Sequence, residues 1–289
     1  MNKHPVIAVI GGSGLYDIPG LEDIEEHNIQ TPFGEPSSPV FVGTLEGKRV
    51  AFLARHGIGH VLTPTEVNYR ANIYALKSMG VEHIVSVSAC GSLREDYAPG
   101  HLVVPDQLFD FTRDRKRTFF EDGIVAHIGV ADPYCPSFSD QVYAAAKSTN
   151  AVVHQGGTFI TIEGPRFSTR GESNIYRTWG LDLIGMTTSP EAFLAREAEM
   201  CYGVIAHVTD YDVWRVSEEA VSVELIIKTL QKNTEFAQAA IRELVINLDA
   251  KQECDCADAL KAALITDPAN IPAKTRKKVA LLVDKYLDK

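Results

Sequence analysis

Short apolar runs alternate along the chain with stretches whose apolar residues recur every three to four positions. "VIAVI" (6–10), "RVAFLA" (49–54), "HIVSVSA" (83–89), "HLVVP" (101–105), "TFITIEG" (158–164), "LDLIGM" (181–186) and "YGVIAHV" (202–208) have the length and composition of strands, most of them buried. Between them lie helical patterns. Thr63-Pro64-Thr65-Glu66 reads as a capping box that opens a helix running to Gly80. Ser189-Pro190 precedes "EAFLAREAEM", a second helix. A third starts near Ser222, with Val223, Ile226, Ile227, Leu230, Ala237, Ile241, Leu244, Val245 and Leu248 at helical spacing. "CADALKAALI" and "AKTRKKVALLVDKYL" predict two more helices near the C-terminus.

Strand–helix alternation predicts an α/β fold around a parallel or mixed sheet. No internal repeat and no low-complexity linker interrupts it. Residues 1–250 therefore form the main domain, and 251–289 a helical extension packed on it.

Composition narrows the class. The chain has 289 residues, 45% of them hydrophobic, and a net charge of −10. That acidic balance argues against nucleic acid or an anionic membrane as partner. The N-terminal apolar run, about six residues, is too short for a signal segment, and no run approaches the ~20 residues of a membrane span. Five cysteines make a poor disulfide framework. The expected location is the cytoplasm. The nine histidines have no zinc-like spacing, and Cys254-x-Cys256 has no partner pair in the sequence, so no metal is expected. A strained disulfide or two reduced thiols remain for that pair, with reduced thiols favoured.

The chemistry-bearing residues cluster where strands end. Gly11-Gly12-Ser13-Gly14 follows the first strand with free amides and a hydroxyl. It is not a dinucleotide loop, because Asp17 stands where a third glycine belongs. Arg55-His56-Gly57 follows the second strand, and an arginine fork suits phosphate oxygens. Ser86, Ser88, Ala89 and Cys90 end the next strand, where open α/β sheets place ligands. "EGPRFS" holds Phe167 and Ser168 on a Pro-fixed turn, where an aromatic can stack on a flat ring. Met186, Thr187 and Thr188 lie between a strand and a helix start. Finally "VTDYD" ends a buried strand on Asp210 and Asp212. Singly, each has an ordinary alternative: a tight turn, a surface cluster, small-residue packing, a core Phe, a Ser189 N-cap, or a solvated turn. Together they describe one pocket for an oxyanion plus a flat, nitrogen-rich ring. No G-x-S-x-G elbow suggests a serine hydrolase.

"GGSGLY", "ARHG-x-x-H", "VNYRANIYALKSMGVEHIVSVSACGSLRE", "TIEGPRFSTRGES", "GMTTSPE-x-x-LAREAEMCY" and "TDYDVW" resemble the nucleoside phosphorylase family, in particular its methylthioadenosine-cleaving branch. The resemblance is collinear from about residue 6 to 248, and "CDC" (254–256) resembles a C-terminal CxC found in relatives from heat-loving organisms. It implies a single domain with a central mixed sheet, partly barrel-like and flanked by helices. It also implies roles. Ser13, Arg55, His56, Ser88, Thr187 and the Ala89 backbone would hold phosphate. Met186 would lie against the ribose, and Phe167, Ser168, Asp210 and Asp212 would contact the purine. Val223, Ile226 and Ile227 would line a 5′-methylthio pocket, and His127 would reach a neighbouring subunit in a homotrimer, or a hexamer built from trimers. Phosphate would be a co-substrate, with no cofactor. Asp210 would protonate purine N7 as the N-glycosidic bond breaks, and Asp212 would accept from the 6-amino group.

The expected activity is phosphorolysis of S-methyl-5′-thioadenosine. A broader purine nucleoside or methylthioinosine phosphorylase is the alternative within the class. A hydrolase using water, disfavoured by Arg55 and His56, and a dinucleotide-dependent oxidoreductase, disfavoured by the broken glycine pattern, are the alternatives outside it.

Overall fold

The computed structural model describes residues 4–12, 15, 18–215 and 223–287, with side chains outside that description over 223–232. In chain order the elements are β1 (Ile7–Gly11), β2 (Glu22–His27), β3 (Val40–Leu45), β4 (Lys48–Ala54), α1 (Tyr69–Ser78), β5 (His83–Ser92), β6 (Leu102–Val104), β7 (Gln107–Phe111) and α2 (Pro136–Lys147). They continue with β8 (Val153–Gln155), β9 (Thr158–Ile162), α3 (Arg170–Thr178), β10 (Leu183–Gly185), α4 (Glu191–Glu197), β11 (Cys201–Asp210), α5 (Val223–Asn247) and α6 (Ala273–Leu287).

All the strands join one mixed sheet in the order β2-β3-β4-β1-β5-β10-β9-β7. The sheet is not closed: it branches at β5, which also carries β11, and from β11 the branch continues through β6 to β8. Alternation along the central strands sends residues to two cores. Ala8 and Ile10, Ala51 and Leu53, and Tyr202 and Val204 enter one cluster with Ile73 and Leu76 of α1, Leu194 of α4 and Val279 and Leu282 of α6. Ile7 and Val9, Val50 and Phe52, and Ile205 enter the other with Phe138 and Val142 of α2 and Ile241 and Leu244 of α5. Burial on both faces explains why these strands read as continuous apolar runs. A third cluster holds Ile160, Tyr176, Ile184, Tyr211 and Trp214. Among the described residues no helix is long and apolar enough to cross a membrane.

Several local expectations give way to tertiary partners. The Thr63–Glu66 bonds form (Thr63 N to Glu66 Oε2 2.9 Å, Thr63 Oγ1 to Glu66 Oε2 2.7 Å), but they close a turn. Thr65 donates to Glu163, and the Tyr69 hydroxyl donates to Pro64 O at 2.9 Å, so a side chain takes the carbonyl that a first helical turn would use. The helix starts at Tyr69, and the N-cap is Asn68, whose side chain accepts from Ala71 N at 3.2 Å. It ends as expected before Gly80, with Val81 N bonded to Leu76 O and Gly80 N to Lys77 O, a Schellman closure. "CADALKAALI" yields only a 3₁₀ turn at Cys256–Asp258. Its backbone instead bonds residues 125–127 (His127 N to Ala263 O 2.8 Å, Ile265 N to Val125 O 3.0 Å). β2, exposed along nearly its whole length, carries no apolar pattern and is held by backbone pairing to β3. The short or half-exposed β7 and β8, along with β3, α2 and α3, also lie outside the runs read from the sequence.

Candidate active site

β5 is paired with β11 along nearly its whole length, from His83 to Gly91. On its other edge it pairs with β1 only over Ile84–Ser86 and with β10 only at Gly91 and Ser92. Residues 87–90 therefore have one free edge, a gap in the middle of the sheet. Ala89, within this gap, is the single exposed residue of an otherwise buried strand. A backbone edge left open this way needs a partner.

Arg55 closes one end of the gap. Its guanidinium is 2% exposed and forms a bidentate pair with Glu191 (Nε to Oε2 2.9 Å, Nη2 to Oε1 3.0 Å). Nη1 donates to Val87 O at 3.2 Å, and Nη2 also reaches Ser86 Oγ at 2.6 Å. These bonds use four of the five guanidinium hydrogens, leaving one on Nη1. The pair strengthens the charge of both members: Arg55 is pushed up despite burial, and Glu191 is held below the ordinary carboxylate range by Arg55. The Tyr202 hydroxyl adds a bond to Glu191 Oε1 at 2.7 Å. From Ser86 a line of hydroxyls crosses to the next loop: Ser86 Oγ lies 3.3 Å from Ser88 Oγ, and Thr187 Oγ1 donates to Ser88 Oγ at 2.9 Å. Thr161 on β9 holds the Thr187–Thr188 loop, donating to Thr187 O at 2.6 Å.

His56, beside Arg55, has Nδ1 3.0 Å from Leu62 O and is stacked on His60. Burial and the Arg55 charge lower its pKa to about 4. The ring is thus neutral at pH 7, with the proton on Nδ1 facing the carbonyl and Nε2 left as an acceptor.

The other end of the gap is the turn after β11. The β11–β5 register slips between Val208 and Asp210, a bulge at Thr209 that re-aims the side chains beyond it. Thr209 Oγ1 donates to Asp210 Oδ2 at 2.6 Å, and Asp212 N donates to Asp210 Oδ1 at 2.7 Å. Burial raises the pKa of Asp210, and burial together with the Asp210 charge raises that of Asp212. Asp212 Oδ2, Ser168 Oγ and Ser173 Oγ are buried without a hydrogen-bond partner. Both serine hydroxyls lie beside the Asp212 carboxyl, short of ordinary hydrogen-bond geometry, and oppose the rise in its pKa without reversing it. Buried polar atoms left open in one place point to a ligand. The contacts of Arg55 at Val87 and of Asp210 at Gly91 are four residues apart on β5, about 13 Å along a strand.

Two loops roof this gap. Gly164 passes so near Met186 that a Cβ there would lie 2.6 Å from Met186 Sδ. Buried Arg115 ties the same loops together, donating to Ser189 O at 2.6 Å and Glu163 O at 2.8 Å. Phe167, on the first of them, is 42% exposed, so it is not a core filler. Ser189 does not cap α4; its hydroxyl is buried and unpartnered.

The structure thus brings Arg55, His56, Ser88, Ala89 and Thr187 to one end, and Ser168, Asp210 and Asp212 to the other, with Met186 and Phe167 on the roof. Ser13 lies outside the described residues, as do the side chains of Val223, Ile226 and Ile227. His127 is exposed and bonded to the C-terminal segment. Sequence reasoning passed over Glu191, Thr209, Ser173 and Arg115. A carboxylate opening an apolar helix, as in "SPEAFLA", was the available signal for Glu191. Among the described residues the potential metal-ligand group is Cys135, Cys201, Cys254 and Cys256. It lies at the opposite end of β11 from Asp210, about 30 Å along the strand.

A sequence profile described as the Phosphorylase superfamily matches residues 6–246. The S-methyl-5′-thioadenosine phosphorylase of Geobacter sulfurreducens is 54% identical over 283 residues, covering 98% of this chain and 99% of that protein. The crystal structure of a methylthioadenosine phosphorylase from an Antarctic soil metagenomic library superposes with a TM-score of 0.93 at 47% identity, covering 98% of this chain and all of the other. A variant of the adenosine/methylthioadenosine phosphorylase of Schistosoma mansoni, in complex with methylthioadenosine, superposes with a TM-score of 0.82 at 36% identity, covering 89% of this chain and 96% of that one.

Proposed function

The chain belongs to the phosphorylase superfamily, and on that premise we propose that it cleaves S-methyl-5′-thioadenosine with inorganic phosphate. The products are adenine and 5-methylthio-α-D-ribose 1-phosphate. The observation that carries the reading is the turn after β11. There the buried Asp210 and the half-buried Asp212, both with raised pKa, and three unpartnered polar atoms face one end of the free β5 edge, while Arg55 holds the other. The names of the relatives at about half identity agree with it.

Phosphate occupies the Arg55 end and is both nucleophile and second substrate. Arg55 supplies its remaining hydrogen, Ser88 and Thr187 their hydroxyls, and Ala89 its backbone, with Ser13 completing the seat. Glu191 keeps the fork in place, so little reorganisation is needed as charge moves. His56, neutral, accepts from a phosphate hydroxyl through Nε2. Phosphate then attacks the anomeric carbon of an oxocarbenium-like sugar, against which Met186 packs. Phe167 stacks on the purine.

The departing purine gathers negative charge, which Asp210 relieves by protonating N7. Two neighbouring carboxyls in a poorly solvated place resist double ionisation, which raises the pKa of both and favours the proton that Asp210 delivers. Asp212, ionised, accepts from the 6-amino group together with Ser168. Val223, Ile226 and Ile227 line the 5′-methylthio pocket. His127 completes the site of a neighbouring subunit in a homotrimer, with a hexamer as the larger form. No cofactor or metal enters the reaction, and neither nucleic acid nor membrane is a partner. The cytoplasm is the place of action.

The test is a substrate panel with and without phosphate: methylthioadenosine, adenosine, methylthioinosine and inosine. Phosphate-dependent release of adenine, fastest from methylthioadenosine, is expected. Faster turnover of the inosine compounds would overturn the aminopurine assignment, and phosphate-independent release would point to a hydrolase. The double name of the Schistosoma relative favours adenosine as a second substrate.

A further inference from the structure

Away from this site, four cysteines from three separate stretches of chain converge. Cys135 stands just before α2, Cys201 begins β11, and Cys254 and Cys256 belong to the C-terminal segment. Their sulfurs all lie within 4.8 Å of one another, with Cys201 and Cys254 at 3.4 Å. Disulfide pairing requires only that sulfurs approach two by two. Mutual proximity of all four is what a single four-coordinate ion requires: zinc–sulfur bonds of about 2.3 Å hold tetrahedral ligands about 3.8 Å apart. The partner pair that Cys254 and Cys256 lack in the sequence is thus supplied by the fold.

The surroundings fit anionic sulfur. Arg196 Nη1 donates to Cys256 Sγ at 3.1 Å. The Phe138 amide donates to Cys135 Sγ, and the Ser137 hydroxyl lies 3.4 Å from it. Cys135 is also the N-cap of a 12-residue helix, whose dipole favours negative charge there. Four thiolates on a divalent ion leave a net charge of about −2, and the guanidinium and amide donors offset it as outer-shell partners do. A surface hollow lined by Asp132, Ser137, Arg196, Glu253 and Asp255 gives an entry path.

We propose that Cys135, Cys201, Cys254 and Cys256 bind one structural zinc ion as a closed tetrathiolate site. All four positions are filled by protein, so no water is activated and the ion takes no part in the reaction. Each thiol gives its proton to solvent as its sulfur–zinc bond forms, and nothing is oxidised or reduced. The ion clips the C-terminal segment to the start of β11 and of α2.

The test uses the full chain purified under reductant without chelator. Elemental analysis should find about one zinc per chain, released by a mercurial reagent that blocks thiols. Cys254→Ser/Cys256→Ser should hold less than about a tenth of that. Should this variant not fold, wild-type protein exchanged with cobalt(II) provides the second readout: sulfur-to-cobalt charge-transfer bands and the visible bands of tetrahedral cobalt are expected. Zinc-free protein that takes up neither ion under reductant would overturn the proposal. So would a mass lower by four hydrogens, which marks two disulfides.

Discussion

Asp210 and Asp212 share a turn, yet the structure gives them different surroundings. Both oxygens of Asp210 accept bonds from its own turn, from Thr209 Oγ1 and Asp212 N. Asp212 keeps Oδ2 unpartnered, has φ +50°, and has Ser168 and Ser173 beside it. A positive φ at a non-glycine costs of order 1 kcal/mol and is tolerated where the surroundings impose it. Asp210→Ala is expected to slow the chemical step about 10²–10⁴-fold, the range for losing a general acid, measured as single-turnover adenine release. Unchanged turnover would move the acid elsewhere. Asp212→Asn replaces an obligate acceptor by a group that can also donate. The ratio of kcat/KM for methylthioadenosine over methylthioinosine should fall about 10–100-fold, the cost of a buried polar mismatch. A ratio that holds would remove Asp212 from base recognition.

At the scale of elements, the site depends on the free edge of β5 and on the bulge that ends β11. Gly91 is where the two meet. A Cβ there would lie 2.9 Å from Asp210 Oδ1, 3.2 Å from Ile184 Cγ2 and 3.3 Å from Asp212 Cβ. Gly91→Ala must therefore push the β11 turn outward, at about 1–3 kcal/mol of overpacking. Because positioning errors near 1 Å can cost 10²-fold, kcat should fall by about that factor while the variant stays folded by circular dichroism. Normal kcat would show that the turn yields without moving Asp210. Arg55 and Glu191 show the same dependence between elements. They stand 136 residues apart, one after β4 and one opening α4, and each is buried because of the other. Breaking such a pair from one side is costly, which makes Glu191 as necessary as Arg55 to the proposed phosphate seat.

For the whole molecule, buried histidines contribute to the response to acid alongside the carboxylates. His207 on β11 has both ring nitrogens buried and unpartnered, and burial lowers its pKa from 6.5 to about 4. His56 is lowered similarly. A histidine with a depressed folded-state pKa takes its proton first in the unfolded chain. Its stabilising contribution is complete above pH 6.5 and is lost as pH falls from 6.5 through about 4. Glu197, raised to about 7 by burial, works in the opposite sense above pH 4.5, so the informative quantity is a difference between proteins. His207→Leu should lose less melting temperature than the parent between neutral pH and about pH 5. An equal loss would show that His207 is not an acid-labile group.

Much of this was legible in one dimension. The buried strands announced themselves as apolar runs, and the polar and charged side chains that the fold gathers around β5 appeared at their ends, because periodicity and strand-end chemistry are local properties of the chain. The Thr63–Glu66 bonds formed but closed a turn, with the helix starting later at Tyr69, and the helix pattern at 256–265 gave way because its backbone bonds distant residues 125–127. Sequence alone determined that the chain is α/β and acidic, with hydroxyls, an arginine and paired carboxylates where its strands end. Only the tertiary structure decided that β5 has an open edge between β1 and β10, that Glu191 anchors Arg55, and that Cys135 and Cys201 meet Cys254 and Cys256. Pairing registers and convergence of side chains depend on residues tens to more than a hundred positions apart, and no short-range pattern encodes them.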